Sequence, residues 1–241
     1  MDYITEHAYL DKYPVALDAT LLVVGTIHPH DEENFYAPFF YGNKMSLWKL
    51  LNRATHGELN KPIDSFTPVG NNRVFRDRDG FEHRIDLESI LDFLRRRKIA
   101  VSDVVRSCKR TGNVWADSAL TPLRLNVELV DQIRRSTIQE VLFLSGFGAT
   151  NAFKLFFVDV LKQRITRKIR SEREFYCPNE WFGRPVKFSI LYSPSGSANI
   201  AIAQSPEYLA VKERYASSET PVYDFKIDYY REKFHLYEKD L

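Results

Sequence analysis

Three short, unbroken apolar runs constrain this chain more than any other feature. They are Thr20-Leu21-Leu22-Val23-Val24-Gly25, Glu140-Val141-Leu142-Phe143-Leu144-Ser145-Gly146 and Val186-Lys187-Phe188-Ser189-Ile190-Leu191-Tyr192. The first two are continuous and the third alternates only in part. Such runs read as strands buried on both faces, as in a parallel sheet. Helical periodicity is expected between and after them. Met45 to Arg53 carries Leu47, Leu50 and Leu51 at i, i+3 and i+4. Asp86 caps a segment running through Leu87, Ile90, Leu91 and Leu94 to Arg95-Arg96-Arg97-Lys98. Ser102 reads as the start of a short helix through Val104 and Val105 to Arg110, stopped by Gly112. A longer helix is expected from Thr150 to about Lys168, and two more near 205–214 and 222–238. Asp79-Gly80 suits the turn of a small hairpin. Strands alternating with helices predict a parallel α/β sandwich, and 241 residues suit a single domain.

Composition removes other classes. A hydrophobic fraction of 44% with 27% charged residues excludes a disordered chain, a fibrous repeat and a small disulfide scaffold. The formal net charge of +2 hides an asymmetry: residues 91–170 hold 16 Lys/Arg against 7 Asp/Glu, a net of +9, which leaves −7 for the remainder. A locally basic stretch suits a polyanion such as DNA, although solvated helix faces produce the same count. Two cysteines, Cys108 and Cys177, cannot by themselves make a zinc site or an iron–sulfur cluster. The N-terminus has neither a basic leader nor an apolar run, and no stretch of 18 apolar residues exists. The expectation is a reduced, cytoplasmic protein that neither spans a membrane nor needs a cofactor or metal, and that works as a monomer.

Parallel α/β sheets place ligand sites at the carboxyl ends of their strands. Three such ends here carry unusual residues: Gly25-Thr26-Ile27-His28-Pro29-His30-Asp31, Leu144-Ser145-Gly146 and Ser193-Pro194-Ser195-Gly196. None is a glycine-rich dinucleotide or phosphate loop, and there is no G-x-S-x-G elbow.

Together these segments resemble the uracil-DNA glycosylase superfamily, nearest to its mismatch-specific and hypoxanthine-type branches. The carriers are Gly25-Thr26-Ile27-His28-Pro29; Phe39-Phe40-Tyr41-Gly42-Asn43 leading to Trp48; Ser102-Asp103-Val104-Val105-Arg106-Ser107-Cys108 with Arg110, Gly112 and Asp117-Ser118; Phe143-Leu144-Ser145-Gly146; and Ser193-Pro194-Ser195-Gly196. The resemblance covers about residues 20–205 and leaves 206–241 as a helical extension. It implies a three-layer α/β/α sandwich around a central, mainly parallel four-stranded sheet. It also implies a hydrolase that flips a base out of DNA, cleaves its N-glycosidic bond and leaves an abasic site, as in base-excision DNA repair.

That chemistry passes through an oxocarbenium-like sugar. It needs a group that orients water or screens the sugar cation, and donors for the departing base. Relatives hold the water with Asp or Asn in the first loop, where this chain has Ile27 or His28. His28 is therefore the first catalytic candidate, with His30, and with Asp31 as a carboxylate three residues on. The resemblance makes Thr26, Ile27, Phe40, Tyr41, Asn43, Ser145 and Ser193 substrate-binding candidates, with Phe40 stacking on the base. Ser195, Gly196, Ser197 and Asn199 would pinch the phosphate backbone, with Ala198 and Ile200 as wedge residues. Arg167 and Lys168 are candidate phosphate contacts in Arg164-Ile165-Thr166-Arg167-Lys168-Ile169-Arg170, and Arg95–Lys98 form a second basic cluster.

Departures from the pattern share a direction. Ser145 stands where relatives carry Asn, Ser193 where they carry His or Asn, and Met45 where the hypoxanthine-type branch has Asn. They point away from plain uracil and towards a bulkier base, such as a modified pyrimidine of phage DNA removed in antiviral defence. Two other classes stand beside this one: a catalytically silent nucleic-acid-binding protein on the same fold, and a nucleotide or small-molecule hydrolase.

Overall fold

A computed structural model describes residues 2–67, 74–112 and 116–237. In chain order the strands are β1 Asp2–Glu6, β2 Leu21–Gly25, β3 Phe75–Arg76, β4 Glu82–His83, β5 Ile99–Asp103, β6 Val105–Thr111, β7 Leu120–Leu125, β8 Glu140–Phe143, β9 Glu174–Tyr176 and β10 Lys187–Ile190. The α-helices are α1 Ser46–Ala54, α2 Leu87–Arg97, α3 Leu129–Arg135, α4 Ala152–Lys154, α5 Arg167–Glu172, α6 Asn179–Phe182, α7 Asn199–Ala203, α8 Pro206–Leu209 and α9 Pro221–Lys233. The chain divides into two compact units, residues 1–32 with 94–191, and residues 33–93 with 192–241.

The first unit holds a five-stranded sheet in the order β5-β2-β8-β10-β9. β5, β2, β8 and β10 run parallel, and β9 closes the edge antiparallel to β10. The expected four-stranded sheet is thus corrected to five: Glu174-Phe175-Tyr176 is too short to register as a strand in sequence and forms by pairing with β10. Alternate residues Leu22, Val24, Val141, Phe143, Phe188 and Ile190 face one apolar cluster with Ile133 of α3, Phe153 of α4 and Phe182 of α6. Leu21, Val23 and Leu142, on the opposite face, are buried as well. That double burial is why the first two runs are continuously apolar through Leu21–Val24 and Val141–Leu144.

A second, antiparallel sheet, β1-β6-β7, belongs to the same unit. It overturns the helix expected from Ser102. Asp103 ends β5 with its side chain buried against His7, and Val105 opens β6, which pairs with β1 from Glu6↔Ser107 to Asp2↔Thr111. Long-range pairing with the N-terminal strand decides the conformation here, and local spacing does not report it.

The helix expected over 150–168 is also broken. α4 passes into a π-helical turn over Leu155–Val160, closed by Leu161 N–H donating to the Phe156 carbonyl at 2.9 Å. Phe153, Phe156 and Phe157 are all buried, and a widened turn lets more aromatic residues share the core side than a 3.6-residue turn would. Lys162 then adopts φ 58°, and Thr166 caps a separate helix, α5, by accepting from Ile169 N–H.

α1, in the second unit, and α2 form close to their expected spans, and Asp86 caps α2 by accepting from Ser89 N–H at 2.8 Å. β3 and β4 make the small hairpin around Asp79-Gly80. The helix expected near 205–214 is shorter, as α8 followed by a 3-10 turn over Lys212–Tyr215, and α9 spans Pro221–Lys233. Among the described residues no helix is long and apolar enough to cross a membrane.

Candidate active site at the strand ends of the first unit

β2 and β8 are neighbours, so their carboxyl ends deliver Thr26 and Ser145 side by side, with the two hydroxyl oxygens 3.3 Å apart. Into this pair comes Asp117, from the connection between β6 and β7. Thr26 donates its hydroxyl to Asp117 Oδ2 at 2.6 Å, and Thr150 donates to the Asp117 carbonyl at 2.7 Å. Ser145 Oγ also accepts from Ala152 N–H at 2.8 Å, which fixes it at the start of α4. Burial pushes the Asp117 carboxyl up to about 6; the Thr26 hydrogen bond and the Arg110 charge pull the other way, and Asp103 adds to the rise. Asp117 keeps partial exposure to solvent, so it can exchange protons.

Arg110 lies behind this group with its side chain fully buried. It donates to the Ala116 carbonyl at 3.2 Å and reaches the Ile27 carbonyl at 3.5 Å, bracing the residues next to Asp117 and Thr26. Ile27 itself is buried.

His28 has another office. Its Nε2 accepts from Ala8 N–H at 3.0 Å and its Nδ1 bonds the Pro29 carbonyl at 2.6 Å, which sets the neutral tautomer with its proton on Nδ1. Burial holds it down to about 4, helped by the neighbouring His7. A neutral imidazole with both nitrogens occupied pins the first loop to the N-terminal segment and has no proton to give near neutrality. Glu32 lies 3.7 Å from its Nε2. His30 stacks on Tyr3 with centroids 4.3 Å apart. Its Nδ1 and the Asp31 Oδ1 are both buried without a hydrogen-bond partner among the described residues, and the two side chains are not paired with each other there.

Other sequence candidates belong to the second unit. Phe40 is buried against Phe39, and its carbonyl accepts from Trp48 Nε1 at 2.8 Å. Tyr41 adopts φ 58°, and Asn43 is half-buried. A Cβ on Gly42 would collide with the Ala37 carbonyl oxygen, so this bend admits only glycine. The loop from Ser193 is held by itself and from below: Ser195 N–H donates to Ser193 Oγ, Ser195 and Ser197 share a 2.8 Å hydroxyl contact, and the buried Lys226 donates to the Ser195 carbonyl at 2.9 Å. Burial lowers Lys226 to about 8. Gly196 is exposed, and Asn199 borders a cavity of about 720 Å3 shared with Arg53, Asp77 and Asp224, whose charges are engaged locally.

Arg167 and Lys168 stand exposed on α5. β9 is antiparallel to β10, with Glu174 opposite Ser189, so α5 lies at the sheet end that carries Ser145. Both cysteines are buried and free. Among the described residues no group of three or more His, Cys, Asp or Glu could hold a metal ion.

Asp117 is the residue that motif reading passed over. It was visible only as part of Asp117-Ser118, on a connection with no strand-end signature.

No family model and no curated protein matches this chain. One solved structure does: a solution NMR structure of a "putative uracil DNA glycosylase" from Methanosarcina acetivorans. It is 15% identical over 97% of this chain and 99% of that one, with a TM-score of 0.42. A likeness that remote assigns neither family nor function.

Proposed function

We propose that this chain is a DNA glycosylase whose reacting carboxyl is Asp117. What supports the reading is one constellation: a partly exposed carboxyl whose pKa burial raises to about 6, oriented by the Thr26 hydroxyl, which itself lies beside Ser145 where the adjacent parallel strands β2 and β8 end. In N-glycosidic hydrolysis a water oxygen bonds to the sugar C1′ as the bond to the base nitrogen breaks. The electron pair leaves with the base, and the water proton needs an acceptor. At neutral pH Asp117 is largely a carboxylate. It orients the water, screens the oxocarbenium-like sugar and takes the proton. Thr26 keeps Oδ2 fixed, so little reorganisation remains for the reaction.

The substrate we favour is a bulky modified pyrimidine rather than plain uracil. Ser145 offers one hydroxyl, already facing Thr26, where reading a uracil-like edge calls for an amide with both a donor and an acceptor. DNA carrying hypermodified pyrimidines, uracil or hypoxanthine, scored for alkali-labile sites, tests both parts. Release from modified DNA that disappears in Asp117→Asn is expected. Release from uracil alone would remove the modified-base reading. Release that survives Asp117→Asn would remove Asp117. Salt-sensitive DNA binding without release from any substrate would favour the catalytically silent reading.

A further inference from the structure

Two residues past Ser145, β8's loop presents Phe147, a half-buried ring packed edge-on against Phe153 at 5.7 Å. Two guanidinium groups lie over that ring: Arg170 with its Cζ 5.1 Å from the centroid, and Arg173 at 5.6 Å. Arg173 is anchored at the end of β10, donating to the Ile190 carbonyl at 2.9 Å and the Leu191 carbonyl at 3.0 Å. Gly146 permits the close approach, since a Cβ there would stand 3.2 Å from Ile190 Cγ2. Arg170 is exposed and makes no ion pair among the described residues. An arginine laid on an aromatic face keeps the edge of its donor fork outward. Around it the charge is one-sided: residues 162–173 hold six Lys/Arg and one Asp/Glu.

We propose that Phe147, Arg170 and Arg173 form a phosphodiester grip for a DNA strand at the tip of β8, with Arg164, Arg167 and Lys168 continuing the cationic track. The inference rests on the reading that this sheet end acts on DNA, and it adds the surface that holds the strand. The ring pre-orients Arg170, so fewer rotamers are lost when the phosphate arrives, and a guanidinium fork matches a phosphate better than a point charge does. A run of cations over twelve residues suits a polyanion better than a single nucleotide.

Fluorescence anisotropy with a labelled duplex bearing one abasic-site analogue, across a salt series, tests the grip. Circular dichroism confirms that each variant is folded. Arg170→Ala is expected to weaken binding several-fold and to lower the slope of log affinity against log salt by about one. Arg135→Ala removes an equal charge from the end of α3, at the opposite end of β8, and should change neither. Phe147→Leu should weaken binding less than Arg170→Ala, and the double variant should be no worse than Arg170→Ala, because the ring acts through that arginine. The proposal is overturned if Arg170→Ala behaves like Arg135→Ala, if the two substitutions add, or if the unmodified protein shows no salt-dependent DNA binding. Base release is scored separately, so a protein that grips DNA yet releases no base retains the grip and loses only the proposed chemistry.

Discussion

Asp117 is a carboxyl whose surroundings resist its charge. An ordinary aspartate is charged well below neutrality, but burial raises this one to about 6, so its charge at pH 7 is held against the preference of its surroundings. A group whose folded pKa is raised stabilises the fold at low pH, and that contribution fades as pH climbs through 6. Asp117→Asn removes the charge and retains an oxygen for Thr26. Its melting temperature at pH 7 should therefore equal or exceed that of the unmodified protein, while base release is lost; a large fall in melting temperature would mean that the carboxylate is structural. In unmodified protein, base release should drop as pH falls below about 6. Thr26 and Ser145 were legible in the sequence because they sit where apolar runs end. Asp117 was not, because a carboxyl's environment is assembled from β2, β8 and the β6–β7 connection, and no linear spacing encodes that meeting. The surroundings of His28 are hidden in the sequence for the same reason: its nitrogens meet Ala8 N–H and the Pro29 carbonyl only once the chain is folded.

Uniform burial is legible in sequence where every residue is also apolar; β5 is as fully buried, but Ser102 and Asp103 interrupt its apolar run. Leu21–Gly25 and Glu140–Phe143 are buried at every residue, so their apolar character is continuous. β1, β6 and β7 are half-exposed and gain their conformation from pairing with one another, which leaves a mixed pattern open to a helical reading. The break between the π turn and α5 was hidden by unbroken amphipathicity, although Thr166 is a cap residue in plain view. That cap carries a prediction. Thr166→Ala removes the hydroxyl that accepts from Ile169 N–H and should weaken α5 by about 1 kcal/mol. Hydrogen exchange of the α5 amides should accelerate while those of β8 stay protected. Equal acceleration in both would show that α5 does not open as a separate unit. Because α5 carries Arg167, Lys168 and Arg170, its fraying should also weaken DNA binding at moderate salt.

Across the whole chain, His28 and Asp117 bind protons with opposite consequences. His28 is lowered from 6.5 to about 4, so the unfolded chain takes up its proton first, and stability is lost as pH falls from about 6.5 towards 4. Acting alone, that shift corresponds to about 3 kcal/mol. Asp117 is raised from 3.8 to about 6, so the folded chain takes up its proton first, and stability is gained over nearly the same interval. The two terms largely offset each other between pH 6 and 4 in the unmodified protein. Removing either should expose the other. Urea unfolding of Asp117→Asn should show a steeper loss of stability on acidification than the parent, and His28→Gln a shallower one, both compared as differences so that the remaining carboxylates cancel. Parallel profiles for all three proteins would mean that neither group titrates differently in the folded chain, and the acid-poised carboxyl on which the glycosylase reading depends would go with them.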